Sequence, residues 1–409
     1  MNFNQFNLDA RLQAGINRAG YETPTPIQEK AIPAAMKSRD LIGTAQTGTG
    51  KTAAFVLPIL NRLLSGPRNQ TRALIVTPTR ELAEQINDTC RALSVGTGLR
   101  SATVYGGVGA TPQIRALERG VEIVVACPGR LLDLVAKGQA RLNKVEVLVL
   151  DEADRMFDMG FLPDVRRIIK AVPSQRQTML FSATFPKEIE QLAKQSLRNP
   201  ARITMGISRP AHTVTHALYP VPQHLKRGIV LELLKATNTE SVLIFTRTKH
   251  RARRLDHQLK QAGYKVTSLH SDRTQGQRQN ALKGFKNGTF QVMVATDIAA
   301  RGLDVESISH VINFDMPDTA DAYIHRIGRT GRAERAGDAF TLVTPEDEDM
   351  VRQLEKIMEQ KMKRLFVEDF DYEAAAPPRQ APRPPREKRP SSSPSRKQPK
   401  SKSRPRRYS

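Results

Sequence analysis

Short apolar runs alternate with longer amphipathic segments along most of the chain. The runs of the first half are ALIVT (73–77), EIVVA (122–126), VEVLVL (145–150) and MLFSA (179–183). Those of the second half are VLIFT (242–246), KVTSL (265–269), QVMVAT (291–296) and HVINFD (310–315). Such runs are typical of strands buried on both faces of a parallel sheet, and segments such as TRELAEQINDTCRAL (79–93) have helical periodicity. The pattern therefore predicts an α/β chain with two series of βαβ units.

Proline and charge divide the chain further. The stretch MGISRPAHTVTHALYPVPQ (205–223) contains three prolines and a glycine, so we place a linker at 207–216 between domains at 1–206 and 217–376. Apolar residues at helical spacing in 346–365 predict a helix that docks on the second domain. Residues 377–409 are mostly Pro, Ser, Arg and Lys, which predicts a disordered basic tail.

The net charge of +23 over 409 residues indicates a polyanionic partner. The tail holds twelve Lys and Arg and one acid, or +11, which leaves +12 for the remaining residues. An excess of this kind favours nucleic acid, although charge alone fits a solubility role equally well. The two cysteines, Cys90 and Cys127, are too few for a disulfide framework, and we expect free thiols. No signal peptide or membrane-spanning run is read, so we expect a cytoplasmic protein without membrane contact.

The stretch AQTGTGKT (45–52) resembles a phosphate-binding loop whose first glycine is replaced by Ala45. Gly48 and Gly50 would let backbone N–H groups turn toward phosphates. Lys51 would reach the β- and γ-phosphates of a nucleotide, and the Thr52 hydroxyl would bind Mg²⁺. The alternative, a tight turn between strand and helix, would not require Lys-Thr after the second glycine.

A second acidic element follows a buried strand in VEVLVLDEAD (145–154). Ligands bind at the carboxyl ends of parallel strands, where Asp151 would hold Mg²⁺ mostly through water. Glu152 would orient and deprotonate the attacking water. The competing interpretation is an exposed acidic turn.

The cations that hydrolysis requires beside the γ-phosphate are expected in the second half. YIHRIGRTGR (323–332) carries Arg326, Arg329 and Arg332, and helical spacing would put the last two on one face. The second half has no phosphate loop, so we expect a site split between the domains and completed by their closure. The alternative is a basic surface patch for RNA.

These motifs together resemble a DEAD-box ATP-dependent RNA helicase, most of all the bacterial RhlE-type branch. The matching segments stand in the family's order: GYETPTPIQ (20–28), AQTGTGKT (45–52), PTRELA (78–83), GG (106–107), CPGR (127–130), DEAD (151–154), SAT (182–184), QGQR (275–278), ATDIAARGLD (295–304) and HRIGRTGR (325–332). The resemblance implies two RecA-like domains that hydrolyse ATP with Mg²⁺ in an RNA-dependent way and locally unwind RNA or remodel RNA–protein complexes. Alanine at the first loop position is the family's own form.

The resemblance also implies residue roles in the nucleotide site. Gln28 would read adenine, and Tyr21 would stack on it with support from Phe3, although PTPIQ alone could be a helix start. The loop residues in contact with ATP would be Ala45, Gln46, Thr47, Gly48, Thr49, Gly50, Lys51 and Thr52. Asp304 would take the ribose, and Arg329 and Arg332 would be the arginine fingers. The residues coupling the domains would be Asp154, Ser182, Thr184, His325 and Arg326.

For RNA, the resemblance implies contacts to the backbone and sugar rather than to bases. The expected residues are Pro78, Arg80, Gly106, Gly107, Gly129, Arg130, Arg247, Arg278 and Thr296. We expect a monomer that takes part in ribonucleoprotein or RNA-decay assemblies, with the tail adding sequence-independent affinity. The rival functions are a DNA helicase or translocase, a non-hydrolysing RNA clamp or annealing factor, and a basic assembly scaffold that acts through the tail. Cys127, where threonine is usual, and Ser271, where glycine is usual, depart from the family pattern.

Overall fold

The computed structural model describes residues 2–45, 48–205, 214–237, 241–300, 308–330 and 337–375. The first half forms a parallel sheet of short strands, each of which places two or three residues on each face of the sheet. In chain order its strands are β1 (Leu41–Thr44), β2 (Ala73–Val76), β3 (Ser101–Val104), β4 (Ile123–Ala126), β5 (Val147–Leu150), β6 (Gln177–Ser182) and β7 (Ala201–Thr204). Their spatial order is β3-β4-β2-β5-β6-β1-β7, with every pair parallel.

Helices cover both faces of this sheet, which explains why β2, β4 and β5 at its centre are apolar throughout. Ile75 packs into the core on one face, whereas Leu74 and Val76 pack into the core on the other. The helices are α1 (Ala10–Arg18), α2 (Pro26–Met36), α3 (Lys51–Leu63), α4 (Arg80–Leu93), α5 (Thr111–Glu118), α6 (Pro128–Ala136), α7 (Ala153–Asp158), α8 (Leu162–Ala171) and α9 (Lys187–Ser196), with a 3₁₀ turn at Phe3–Phe6.

The second half repeats this architecture. Its strands are β8 (Val214–Pro220), β9 (Val242–Phe245), β10 (Val266–Leu269), β11 (Val292–Ala295), β12 (His310–Asn313), β13 (Gly337–Val343) and β14 (Lys363–Arg364). They form a second parallel sheet in the order β10-β11-β9-β12-β13-β8-β14. Its helices are α10 (Lys226–Ala236), α11 (Lys249–Gln261), α12 (Gln275–Lys286), α13 (Asp297–Ala300), α14 (Ala320–Ile327) and α15 (Glu348–Met358), with a 3₁₀ turn at Pro345–Asp347. The predicted fold class, two tandem RecA-like parallel-sheet domains, is confirmed.

The predicted boundaries fit less well than the elements. Most of the predicted linker lies outside the described residues, and its last three residues, 214–216, already belong to β8. That strand was missed because VTHALYP mixes polar residues and proline with apolar ones. The helix predicted within 346–365 is α15, which packs on the second domain through Val351 and Leu354. The predicted tail lies outside the described residues. Within the described ranges, every helix is too short or too polar to span a bilayer.

Candidate functional site

The phosphate loop lies between β1 and α3, at the carboxyl edge of the first sheet. Gly48 and Gly50 have φ of 85° and 89°, a region that favours glycine, and α3 begins at Lys51. The Lys51 Nζ donates to the carbonyl oxygen of Ala45 over 2.8 Å, and Ala45 is buried with its N–H on Ser182 O at 3.1 Å. Thr52 follows in the first helical turn. The loop therefore presents a lysine and a helix N-terminus to an anion. Gln46 and Thr47 lie outside the described residues, and Thr49 lies between the two glycines.

Gln28 connects the start of α2 to this loop. Its Oε1 accepts from the backbone N–H of Thr25 at 2.9 Å as part of a capping box, so PTPIQ is indeed a helix start. Its Nε2 donates to the carbonyl oxygen of Gly50 at 3.0 Å. A Cβ on Gly50 would lie 2.5 Å from that Nε2, so any other residue there would displace the Gln28 amide and strain the backbone at a φ of 89°. Beside them, the Phe3 and Tyr21 rings meet edge-on at 6.0 Å, with Phe3 buried and Tyr21 partly exposed.

The acidic segment after β5 is buried and held in a strained turn. Burial raises the pKa of Asp151 to about 6, and the charge of Lys51 opposes this shift. Glu152 has a φ of 53° and a ψ of 52°, the left-handed conformation that non-glycine residues rarely adopt. The Arg155 Nη1 donates to both oxygens of Glu152, at 2.8 and 2.7 Å, and both side chains are buried. The sequence analysis missed Arg155, for which the one available signal was a cation three residues after Glu152.

Asp154 connects the acidic segment to the end of β6. Its Oδ2 accepts from the backbone N–H groups of Ala183 and Thr184, at 3.1 and 2.9 Å, and from the Thr184 hydroxyl at 3.2 Å. Ser182 Oγ accepts from the N–H of Asp154 at 3.0 Å and donates to Thr184 O at 2.7 Å. Burial disfavours the carboxylate, but the Thr184 N–H and the nearby cations outweigh it and lower the pKa of Asp154. Thr184 therefore bonds the Asp154 carboxylate, whereas Ser182 bonds only the backbone.

The cationic motif of the second domain has two parts: Arg326 is buried at the end of α14, and Arg329 lies in the turn after that helix. The Arg326 Nε and Nη2 each donate to the Asp297 carboxylate at 2.6 Å. The Arg326 Nη1 donates to Asn313 Oδ1 and to the carbonyl oxygen of Asp315. The expectation that Arg329 and Arg332 share a helical face was wrong, because α14 ends at Ile327. Arg329 lies in the following turn, its N–H on Arg326 O at 3.1 Å. Arg332 and Asp304 lie outside the described residues.

A cavity of about 420 Å³ joins the two domains at these residues. Asp154, Arg155 and Thr184 line it from the first domain, and His325 and Arg329 line it from the second. Burial, assisted by the charge of Arg155, lowers the pKa of His325 to about 4, although Asp154 acts in the opposite direction. The geometry thus brings carboxylates of one domain and basic groups of the other to a shared space.

The residues predicted to contact RNA follow the other strands at the same sheet edges. In the first sheet β3, β4 and β2 are neighbours, and the predicted residues after them are Gly106, Gly107, Gly129, Arg130, Pro78 and Arg80. In the second sheet, Arg247 follows β9, Thr296 follows β11 and Arg278 lies on α12. The predicted RNA-binding residues of the first domain therefore lie toward the β3 end of the sheet. The acidic segment follows β5 and the phosphate loop follows β1, and both lie toward its other end.

Two of these arginines also connect the domains. Arg278 Nε donates to Glu81 Oε1 at 2.8 Å, and Arg80 Nη1 donates to Gln275 Oε1 at 3.3 Å. Gln275 Nε2 donates to Glu81 as well, at 3.3 Å. Sequence reasoning missed Glu81, because its partner lies almost two hundred positions away. Gly107 has a φ of 81°, and a Cβ there would lie 2.1 Å from Arg80 Nη1, so the second glycine makes room for this arginine.

The remaining residues of this group differ in their attachments. The backbone N–H of Arg247 donates to Asp315 Oδ2 at 2.8 Å, and the Arg247 Nη2 donates to the carbonyl oxygen of Met316 at 3.2 Å. Arg130 Nη2 bonds Val108 O at 3.3 Å.

The two departures from the family pattern lie at loop ends. Cys127 is the N-cap of α6 and makes no side-chain capping bond, and burial raises the pKa of its thiol to about 12. It and Cys90 are free, as predicted. Ser271 is exposed just beyond β10.

The site's carboxylate and hydroxyl oxygens suit Mg²⁺, which prefers oxygen ligands and usually keeps water and substrate phosphates among them. The described part of the chain has no group of three or more His, Cys, Asp or Glu side chains arranged to hold a metal. Asp151 and Thr52, the residues predicted to hold Mg²⁺, carry oxygen donors of the kind this ion prefers.

Two family models match the chain. Residues 25–192 match the DEAD/DEAH box helicase model, and residues 225–334 match the helicase conserved C-terminal domain model. The ATP-dependent RNA helicase CshA of Listeria monocytogenes is 42% identical over 370 residues, which cover 90% of this chain and 71% of that protein. The RNA helicase CrhR of Synechocystis is 45% identical over 345 residues, 84% of this chain and 70% of that one.

A solved structure supports the same relationship. S. cerevisiae Dbp5 bound to RNA and ADP BeF3 superposes with a TM-score of 0.80 at 30% sequence identity, covering 90% of this chain and 96% of that one.

Proposed function

The chain belongs to the DEAD/DEAH box helicase family and is an ATP-dependent RNA helicase, and from this premise we propose how its own residues perform the reaction. ATP and RNA together close the two domains, and the closed groove accepts a single strand that a continuous duplex does not fit. The observation that carries the proposal is the cavity shared by Asp154 and Arg155 of one domain and His325 and Arg329 of the other. Neither domain alone supplies the whole lining of this cavity.

Hydrolysis depends on groups that both domains bring to the γ-phosphate. Lys51 holds the β- and γ-phosphates, and Glu152 orients and deprotonates the attacking water. The two hydrogen bonds that Arg155 donates fix the direction of the Glu152 carboxylate. Arg329, with Arg332, stabilises the charge of the transition state, a role worth about 10³–10⁵ in rate for arginine fingers. Mg²⁺ held by Asp151 and Thr52 would supply further neutralisation of the phosphate charge.

Base recognition requires a fixed amide beside the loop. Gln28 reads the adenine edge while Tyr21 stacks on the ring and Phe3 supports it, and Asp304 binds the ribose. The proposal is supported by the hydrogen bond from Gln28 to Gly50, which ties the amide to the phosphate loop. An amide so held offers one donor and one acceptor in a defined direction.

RNA binds along the carboxyl edges of both sheets, through backbone N–H groups of the glycine loops and through the arginines. The residues proposed are Pro78, Arg80, Gly106, Gly107, Gly129, Arg130, Arg247, Arg278 and Thr296. Contacts to phosphate and sugar carry little sequence information, and the 2′-hydroxyl distinguishes RNA from DNA. The bonds between Arg278, Gln275 and Glu81 support a link between RNA binding and domain approach.

Several finer assignments belong to the same proposal. The chain is an RhlE-type member that acts as a cytoplasmic monomer within ribonucleoprotein or RNA-decay assemblies. Ser182, Thr184, His325 and Arg326 couple the domains. Residues 377–409 add nonspecific affinity: if ~6 of their cations contact single-stranded phosphates, the slope of log K against log salt is steeper by about 4. Comparing the salt dependence of RNA binding between the full chain and a chain ending at residue 375 measures that difference. An unchanged slope would show that the tail has no such role.

The test of the function compares nucleic acids of equal length. We expect single-stranded RNA to stimulate ATP hydrolysis by the full chain, DNA to stimulate it little, and short RNA duplexes to be separated only with ATP. Equal stimulation by DNA would favour a DNA translocase. RNA binding without stimulated hydrolysis would favour a non-hydrolysing clamp.

A further inference from the structure

Helices α4 and α12 face each other across the two domains. Glu81, Glu84 and Asp88 lie at positions i, i+3 and i+7 of α4, hence on one face of that helix. Lys283 and Lys286 lie on the face of α12 that lines the same cavity of about 430 Å³. Near the helix N-termini the domains touch through Arg278 and Glu81, at 2.8 Å. Farther along, the cavity separates the two helices.

The two sides of this cavity carry opposite charge. The charged residues that α4 contributes are all acidic, and those that α12 contributes are both lysines. Glu84 is fixed on its own domain, since its Oε1 accepts from the Tyr105 hydroxyl at 2.5 Å and from the Thr103 hydroxyl at 3.0 Å. Burial and the charge of Glu84 raise the pKa of Asp88, and the charges of Arg91 and Lys286 oppose that shift. The Lys286 charge therefore reaches Asp88 from the other domain.

We propose that Asp88 and Lys286 are positioning residues, whose attraction, reinforced by Glu84 and Lys283, favours the approach of the two domains and thereby tightens RNA binding. This inference rests on the proposed function. Neither residue belongs to the nucleotide site or to the loops proposed for RNA, so each acts only through the relative position of the domains. Surface lysines and acids that merely keep the protein soluble would not be segregated by domain across one cavity.

The size of the effect follows from exposure. Ion pairs at exposed sites change an equilibrium by up to about fivefold at low salt, and salt screens them. Reversing one partner replaces attraction with repulsion, so we expect RNA binding to weaken by about fivefold or somewhat more. Restoring opposite charges in exchanged positions should recover most of the loss.

The experiment uses the full chain with one dye on each domain, in ADP and beryllium fluoride with a single-stranded RNA. The distance between the dyes and the RNA dissociation constant are measured for Asp88→Lys, Lys286→Asp and the double exchange. Asp88→Lys adds two positive charges, so general attraction to RNA predicts tighter binding, whereas the proposal predicts weaker binding and a larger interdomain distance. The double exchange should bind within about twofold of the unaltered chain, and the differences should shrink in high salt.

Lys235→Asp is the matched control, because Lys235 pairs with Glu232 on α10, away from this cavity. It should leave the interdomain distance unchanged. Lys286→Gln repeats the test should Lys286→Asp lower the melting temperature of the unliganded protein. Tighter RNA binding by Asp88→Lys, or a double exchange as weak as the weaker single variant, would overturn the proposal. Distance and binding need no turnover, so absence of RNA-stimulated hydrolysis in the unaltered chain would overturn the proposed function alone.

Discussion

Glu152→Gln tests the assignment of the water-activating base with little change of shape. Glutamine occupies nearly the same volume and can adopt the left-handed backbone that Glu152 has at φ 53°. Its carbonyl oxygen still accepts one hydrogen bond from Arg155, which donates two to the carboxylate, at 2.8 and 2.7 Å. The substitution therefore removes the negative charge and the proton acceptor but keeps the side chain in position.

Two magnitudes follow from this arrangement. A positioned general base contributes about 10²–10⁴ in rate, or roughly 3–5 kcal/mol of barrier, so turnover should fall by that factor. The variant keeps one of the two hydrogen bonds from the charged Arg155 and loses the other. A hydrogen bond to a charged group is worth about 1.5–3 kcal/mol, so the free energy of unfolding should fall by about 2 kcal/mol. A loss of that size leaves the protein folded at assay temperature.

The assay is phosphate release at saturating RNA, together with ATP and RNA affinity and thermal unfolding. Affinities for ATP and RNA should change little, because the base acts on water rather than on either ligand. Asp158→Asn is the control: it removes one negative charge from the cavity that Arg155 lines, and turnover should stay within a few-fold. Turnover of Glu152→Gln within tenfold of the unaltered chain would refute the assignment.

Three further substitutions separate structural from chemical roles. Arg329→Ala should lower kcat by about 10³ or more with little loss of ATP affinity, measured by steady-state kinetics; an affinity-only effect would mean that Arg329 is not a finger. Gly107→Ala should weaken RNA binding several-fold in a titration, because its Cβ would overlap the Arg80 guanidinium and the φ of 81° is strained; equal affinity would contradict this packing. His325→Gln should remove the part of the acid-induced decrease in the free energy of unfolding that His325 causes. With a folded pKa of about 4 against 6.5 unfolded, the unfolded chain binds the extra proton, so His325 costs stability as pH falls from 6.5 to 4, by up to ~3 kcal/mol; the same slope in both proteins would contradict burial of a neutral imidazole.

Most of the fold could be predicted from the sequence, because the patterns that predict strands and helices extend over only a few consecutive residues. Runs such as ALIV (73–76) are apolar at every position, and helices on both sides of the sheet are the arrangement that buries both faces. Strands with mixed composition, such as β8 and β13, were not predicted, since only their neighbours in the sheet reveal them. Motif spacing likewise indicated the phosphate loop at Gly48–Lys51 and the acids after β5.

The candidate site was predictable only in part. Gln28 was selected through a family resemblance, but its hydrogen bond to Gly50 joins residues 22 positions apart. The helical face assigned to Arg329 was wrong, because a glycine-containing turn ends α14 before that residue.

From local patterns, most of the elements, their parallel pairing into two domains and the residues that follow the strands could be predicted, because periodicity and spacing act over a few residues. Only in the folded molecule does Glu81 meet Arg278 across 197 positions, and only there does Asp154 share a cavity with His325. Both contacts depend on how the two domains approach each other, and no local pattern records that arrangement. Glu152 and Arg155 are only three residues apart, but their joint burial likewise depends on the residues that pack around them.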